Sequence, residues 1–220
     1  KFESVVVSLT SKSVIGKRLE KIGIPVYALK LRKTGLSVKS VWKIREVFRE
    51  FKPDIIQGWM YHGNLVAQIM GLLLKKRPKI FWNIRHSLHE LKSEKRAMQI
   101  CIKLGARFSE QVDRIIYNAH VSASQHENIG YSAKRKSVLP NGFNTEYFLP
   151  STSANVTMKE ELRMDDSVQI VGMVCRYHPM KGHFNFFKAA KEVIKRNRRV
   201  CFVCVGRDVT EDNILLKSKI

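Results

Sequence analysis

The chain has 220 residues, 44% of them apolar, and sets 40 Lys and Arg against 19 Asp and Glu for a net charge of +21. That length can bury a real core in one large or two modest domains, and the composition is that of a globular protein. No apolar run reaches the roughly twenty residues that span a bilayer, no secretory signal is read, which points to the cytoplasm, and the charge calls for an anionic partner: nucleic acid, a phospholipid surface or a phosphorylated substrate.

Short apolar strands alternate with amphipathic helices, the pattern of a parallel α/β sheet covered on both faces. Residues 5–9 read as a buried strand, 16–23 as a helix ended by Gly23, and 25–29 as the next strand. The clearest helix is 37–51, where Val41, Ile44, Phe48 and Phe51 share a face with Trp42 and Val47 beside it. Pro53 stops it, and 54–57 return to the sheet. A helix over 64–74, closed by Lys75-Lys76-Arg77-Pro78, leads to a strand at 80–84 and a long, partly basic helix over 91–112. The strand 114–117, a short helix near 122–128 and the strand 137–139 follow, with Asn118 as a strand-end cap. Residues 150–157 are polar and read as a structureless linker, which divides the chain into domains 1–150 and 151–220. A second βαβ pattern comes after it: a strand within 166–175, a loop over 176–182, a helix over 183–197 and a buried strand at 200–205.

The cysteines are Cys101, Cys175, Cys201 and Cys204. The last two have the spacing of a redox or zinc pair, but residues three apart on a strand face opposite sides. They read as small hydrophobes in a reducing compartment. His86 and His89 lack carboxylate or thiolate company, so no metal and no cofactor is expected.

The segment Val171-Gly172-Met173-Val174-Cys175-Arg176-Tyr177-His178-Pro179-Met180-Lys181-Gly182-His183 carries the most chemistry. An apolar strand ends in an arginine, and a tight loop closes on Lys181-Gly182 where a helix begins. Two permanent cations and free helix-start N–H groups at the carboxyl end of a strand suit a diphosphate, because guanidinium grips phosphate oxygens bidentately and lysine adds a point charge.

Upstream, Val138-Leu139-Pro140-Asn141-Gly142-Phe143-Asn144-Thr145-Glu146-Tyr147-Phe148 resembles the Pro-Asn-Gly hinge of family 4 glycosyltransferases, with Asn141 and Gly142 at its centre. Residues 171–182 resemble that family's V-G-R-x-x-P-x-K-G motif, except that Cys175 stands where the family has glycine. Residues 53–64 are similar to its P-D strand and loop, 82–87 to its strand end with His-Ser, and 203–208 to its next strand and turn. The resemblance implies two Rossmann-like doubly wound domains, the GT-B fold, and transfer of a sugar from a UDP- or GDP-sugar to a glycan or lipid-linked acceptor with retained anomeric configuration. It implies Arg176, Lys181 and Gly182 as the diphosphate clamp. It also implies His86 facing the transferred sugar across the cleft, with His62, Asn64 and Arg85 as acceptor or sugar contacts. His62 and Asn64 equally suit caps on the helix after their strand. Against the family pattern, a glycine-rich first loop and a later pair of glutamates are missing, so the chain reads as an inactive fragment with a nearly complete first domain and a partial second. Lipopolysaccharide or capsule synthesis is within the family's range.

The charge keeps a nucleic-acid-binding reading alive through Lys75-Lys76-Arg77, Lys134-Arg135-Lys136 and 195–199. These strips are scattered through a doubly wound pattern, with no zinc finger, helix-turn-helix or RNP signature beside them. An anionic membrane makes the better partner, and the expectation is a cytoplasmic, peripheral enzyme that binds no nucleic acid. An NAD-dependent epimerase would need a G-x-G-x-x-G after a strand, and none is found.

Overall fold

A computed structural model describes residues 2–31 and 38–218; Ser37, the expected start of the second helix, lies outside them. The chain divides after Gly142 into two compact units.

The first unit runs β1 (Val6–Ser8), α1 (Ser13–Lys21), β2 (Val26–Ala28), α2 (Val38–Phe51), β3 (Ile55–Trp59), α3 (Met60–Leu72), β4 (Lys79–Ile84), α4 (Arg96–Phe108), β5 (Arg114–Tyr117), α5 (His120–Glu127) and β6 (Lys136–Val138). β1 and β2 pair in parallel, while β3-β4-β5-β6 form a four-stranded parallel sheet in chain order. β4 turns Ile80, Trp82 and Ile84 to one face, with Trp82 and Ile84 fully buried, and Phe81 and the buried Asn83 to the other. Ile44, Val47 and Phe48 of α2, Met70 of α3, Ile102 of α4, and Ile115 and Tyr117 of β5 complete one core. Val5, Val7, Tyr27 and Leu29 pack against it from the β1-β2 pair. At the opening edge of the sheet, Asp113 accepts from Ile80 N–H at 2.8 Å and from Lys79 at 3.0 Å, which pins β5 to β4.

Three expectations for this unit need correction. Trp42 is 62% exposed, because the buried stripe of α2 is Ile44, Val47 and Phe48 with Val41 partly covered. The helix expected over 91–112 is broken. Residues 91–93 form a 3-10 turn, and Glu94 and Lys95 are extended before α4 begins. The break is held where the Gln99 amide donates to the Glu94 carbonyl at 2.7 Å. Asn118 caps nothing; its Oδ1 is buried without a partner, and α5 starts without a side-chain cap.

The second unit holds α6 (Thr152–Glu161), β7 (Gln169–Val174), α7 (His183–Arg196), β8 (Val200–Val205) and the short α8 (Ile214–Lys217). The stretch read as a structureless linker is thus mostly helix. Ser151 supplies its start by accepting from Ala154 N–H at 3.1 Å, a side-chain cap worth about 1 kcal/mol. β7 and β8 pair in parallel along their full length. β8 is half-exposed rather than buried, because α7 and α8 leave open a cavity of 1190 Å³ lined by Phe186, Ile194, Cys201, Cys204 and Leu216. All four cysteines are free thiols.

Candidate functional site

Parallel strands bring their carboxyl ends to one edge, and in the first unit the polar side chains of interest gather there. β3 passes into α3 with no intervening loop, so Met60 adopts a left-handed backbone at φ 60°, a conformation that costs a non-glycine residue of order 1–3 kcal/mol. The turn aims Tyr61 into the edge, and Met60 Sδ accepts from Arg85 N–H at 3.3 Å. Helix α3 starting at Met60 also changes the setting of His62 and Asn64. They belong to its first two turns, not to a loop, and neither caps it. His62 is exposed, whereas Asn64 is buried and its Oδ1 accepts from Asn83 N–H at 3.3 Å.

β4 ends at Ile84, so Arg85 and His86 lie beyond the alternating part of the strand. Arg85 is heavily engaged. Its Nε donates to Asn83 Oδ1 at 2.7 Å, its Nη1 to the Leu139 carbonyl at 3.1 Å and to Asn141 Oδ1 at 2.9 Å, and its guanidinium lies 5.7 Å from the Trp59 ring centre. It ties the Asn141–Gly142 pair, where the first unit ends, back to β4.

His86 sits in a hydrogen-bonded chain that the sequence alone did not disclose. Its Nε2 is 3.6 Å from Glu94 Oε1, its Nδ1 is 3.2 Å from Tyr61 Oη, and its carbonyl accepts from Ser122 Oγ at 2.6 Å. Tyr61 Oη lies 2.8 Å from His126 Nε2, and His126 Nδ1 lies 2.7 Å from the Ser122 carbonyl. His126 is fully buried among the rings of Tyr61, Tyr117 and Tyr131. Burial pulls its pKa below that of a free imidazole, partly offset by the Ser122 carbonyl and reinforced by His86. Burial first, then the charges of Glu94 and Cys101, push the Tyr61 phenol up, so it keeps its proton. The signals available in sequence were Tyr61 beside His62 and the i, i+4 pair Ser122 and His126 on one helix face.

In the second unit, Arg176 and Lys181 flank the turn between β7 and α7. Pro179–Lys181 is one 3-10 turn, with His178 Nδ1 accepting from Met180 N–H at 3.3 Å. Gly182, at φ 75° in the left-handed region that favours glycine, is the N-cap of α7. The first N–H groups of α7 have no partner within the helix and so remain available beside Lys181. Arg176 and Lys181 are exposed, and neither side chain makes a hydrogen bond or ion pair among the described residues. Cys175, in the position where glycine was expected, has its Sγ 3.7 Å from Nε2 of the buried His183. Among the described residues no group of three or more His, Cys, Asp and Glu could hold a metal ion, and no helix is long and apolar enough to cross a membrane.

Solved structures share this fold at low identity. The chain superposes on the Anabaena protein HepE, solved with UDP-glucose, with a TM-score of 0.74 at 20% identity, covering 97% of this chain and 56% of HepE. A glycosyltransferase from Rickettsia africae matches with a TM-score of 0.70 at 15% identity, over 98% of this chain and 55% of that one. A putative UDP-N-acetylglucosamine 2-epimerase from Listeria monocytogenes matches at 0.50 and 13% identity, over 100% of this chain and 57% of its own. The chain therefore spans little more than half the length of these structures, and the likeness shows the fold, Rossmann-like α/β units of the GT-B class. No curated protein sequence matches it. The sequence profile of Glycosyltransferase Family 4 matches residues 2–147, most of the chain, and the protein belongs to that family.

Proposed function

We propose that the protein takes part in transferring a sugar from a nucleotide-diphospho-sugar to a glycan or lipid-linked acceptor with retention of anomeric configuration. One observation carries the reading. Two exposed cations, Arg176 and Lys181, stand without a partner among the described residues at the carboxyl end of β7 beside the opening of α7, in a chain of this family. Both charges are desolvated and engaged only when an anion arrives. As the glycosidic bond to the diphosphate breaks, negative charge grows on the leaving oxygen, and preorganised cations and helix-start amides stabilise it most at that moment. His86, at the carboxyl end of β4, is assigned to the transferred sugar. His62 and Asn64 are assigned to sugar or acceptor, and Asn141–Gly142 to the hinge. Arg85 serves that assignment indirectly, through its hold on Asn141.

An anionic membrane surface is proposed as the place of action. On α4, Arg96, Ile100, Lys103, Leu104 and Arg107 recur at helical spacing along one exposed stripe, with Ile100 60% and Leu104 45% exposed. An apolar stripe studded with cations suits the boundary between acidic headgroups and acyl chains.

The test is release of nucleoside diphosphate by the full-length protein across a panel of UDP- and GDP-sugars with extracted lipid-linked glycans, with product anomers assigned by NMR. Retained configuration with one donor is expected. Binding of no nucleotide sugar, or epimerised donor without transfer, overturns the reading.

A further inference from the structure

We infer that Tyr61 and His126 are positioning residues that fix the tautomer of His86, holding its proton on Nδ1 so that Nε2 is the ring atom left for a substrate hydroxyl and for Glu94. The inference rests on the assignment of His86 to the sugar only for its purpose. The tautomer itself follows from counting protons along the chain.

The count begins at a backbone carbonyl, which can only accept. His126 Nδ1 lies 2.7 Å from the Ser122 carbonyl oxygen and must therefore carry the hydrogen. His126 is fully enclosed, and burial opposes a second proton, so its Nε2 is a bare lone pair. That lone pair is 2.8 Å from Tyr61 Oη, and the phenol has one proton to give. The proton goes to His126, because two facing lone pairs at that distance in a buried site would repel and leave both unsatisfied.

With its only hydrogen spent, Tyr61 Oη can do nothing but accept on its other side. There His86 Nδ1 sits at 3.2 Å and must be the donor. Ser122 closes the figure, since its hydroxyl donates to the His86 carbonyl at 2.6 Å while its own carbonyl sets the first proton. One residue of α5 thus fixes both the backbone and, through two side chains, the ring of His86. On the far side, Glu94 Oε1 is 3.6 Å from Nε2, in the extended break before α4. Nε2, the ring atom that Tyr61 does not engage, is therefore the one that faces Glu94 and is left for a substrate hydroxyl.

The experiment reads the ring nitrogens directly. The full-length protein is labelled with ¹⁵N at histidine, and long-range ¹H–¹⁵N spectra are followed through a pH titration for the wild type, Tyr61→Phe and His126→Gln. In the wild type, His126 is expected to show Nδ1–H at every pH of the folded protein. His86, once titrated to neutral, is expected to show Nδ1–H with a bare Nε2. Tyr61→Phe should release His86 into a tautomer mixture while His126 keeps its own signal, which certifies the fold. A neutral wild-type His86 protonated on Nε2 overturns the inference without any variant, as does a His86 pattern unmoved by Tyr61→Phe. Activity does not enter this readout. If the tautomer is as inferred and the donor panel shows no transfer, the functional assignment fails and the proton chain stands.

Discussion

A methyl group built on Gly206 would lie 2.1 Å from the carbonyl oxygen of Cys175, closer than any real contact allows. The two backbones cross there because Cys175 N–H donates to the Val205 carbonyl at 2.9 Å and Tyr177 N–H to the Arg207 carbonyl at 2.8 Å. Those bonds carry the β7-β8 ladder past the last paired residues and hold Arg176 between them. At φ 155°, Gly206 is also in a region that side chains rarely adopt. Gly206→Ala should therefore cost at least about 2 kcal/mol, since backbone cannot move aside as a flexible side chain can. Hydrogen exchange is the measure: amides of β7 and β8 should lose protection while those of β4 keep theirs. Unchanged protection across 169–205 would show that the crossing is looser than described.

Arg176→Ala and Lys181→Ala should each lower transfer by the full-length protein on the order of 10²–10³-fold, the usual loss when one preorganised charge at a developing anion is removed. Both side chains are exposed and without partners among the described residues, so stability should change by no more than about 0.5 kcal/mol. Arg176→Lys should recover only part of the rate, because the bidentate fork is lost. Nucleoside diphosphate release and thermal unfolding on the same samples decide it, and wild-type rates in both alanine variants would end the clamp assignment.

Most strands and helices were legible because their signals are local. β5 and β8 have the bounds read for them, β8 along its whole apolar run, and Lys181-Gly182 marks the opening of α7 as read. The misreadings have two physical sources, a local cap that composition hides and contacts that only folding supplies. Ser151-Thr152-Ser153 looks like a linker by composition, yet Ser151 can equally satisfy a helix-start N–H, and it does so. Residues 91–112 keep an amphipathic pattern through Glu94, but Glu94 turns out of the helix toward His86. Among the candidate residues, Arg176 and Lys181 of the second unit and His86 of the first stood out in sequence through motif and charge. Tyr61 and His126 did not, because 65 positions separate them and only folding brings them to a shared proton.

Removing the cap of α6 should test the helix found where a linker was read. Ser151→Ala leaves the Ala154 N–H without its acceptor and should destabilise α6 by about 1 kcal/mol. Exchange of the amides in 152–161 should quicken several-fold with no change in β7. Equal exchange in the variant would mean that the cap does not hold the helix.

The stripe on α4 should bring the protein to acidic vesicles and not to neutral ones. Each cation near such a surface contributes about 1 kcal/mol, and salt screens surface charges within about 8 Å at physiological ionic strength. Flotation with phosphatidylglycerol vesicles should weaken as salt rises. Lys103→Glu with Arg107→Glu should weaken it at every salt, and Ile100→Ser should weaken it at high salt, where the apolar contribution dominates. Equal flotation with neutral vesicles, or sequence-selective binding to DNA or RNA, would redirect the charge to another partner.

His126 should give the first unit an acid-sensitive stability. Its folded pKa lies below the unfolded imidazole value of about 6.5, because burial disfavours the charged ring. Above that value neither state binds the proton, so folding proceeds at no protonation cost. As pH falls below it, the unfolded chain takes up a proton that the folded His126 refuses, and stability drops until the folded pKa is reached. Asp54, lowered by Lys76, and Asp113, where burial works upward but is outweighed by Ile80 N–H, Lys79 and Arg135 together, lose their contributions in a separate window below about pH 4. The urea midpoint of the first unit, followed by tryptophan fluorescence, should thus be level from about pH 8 to 7 and decline as pH falls below about 6.5. His126→Gln should lower the midpoint at pH 8, since Tyr61 and the Ser122 carbonyl lose well-placed partners, yet flatten the decline. A decline of the same slope in that variant would place the proton uptake on a different residue.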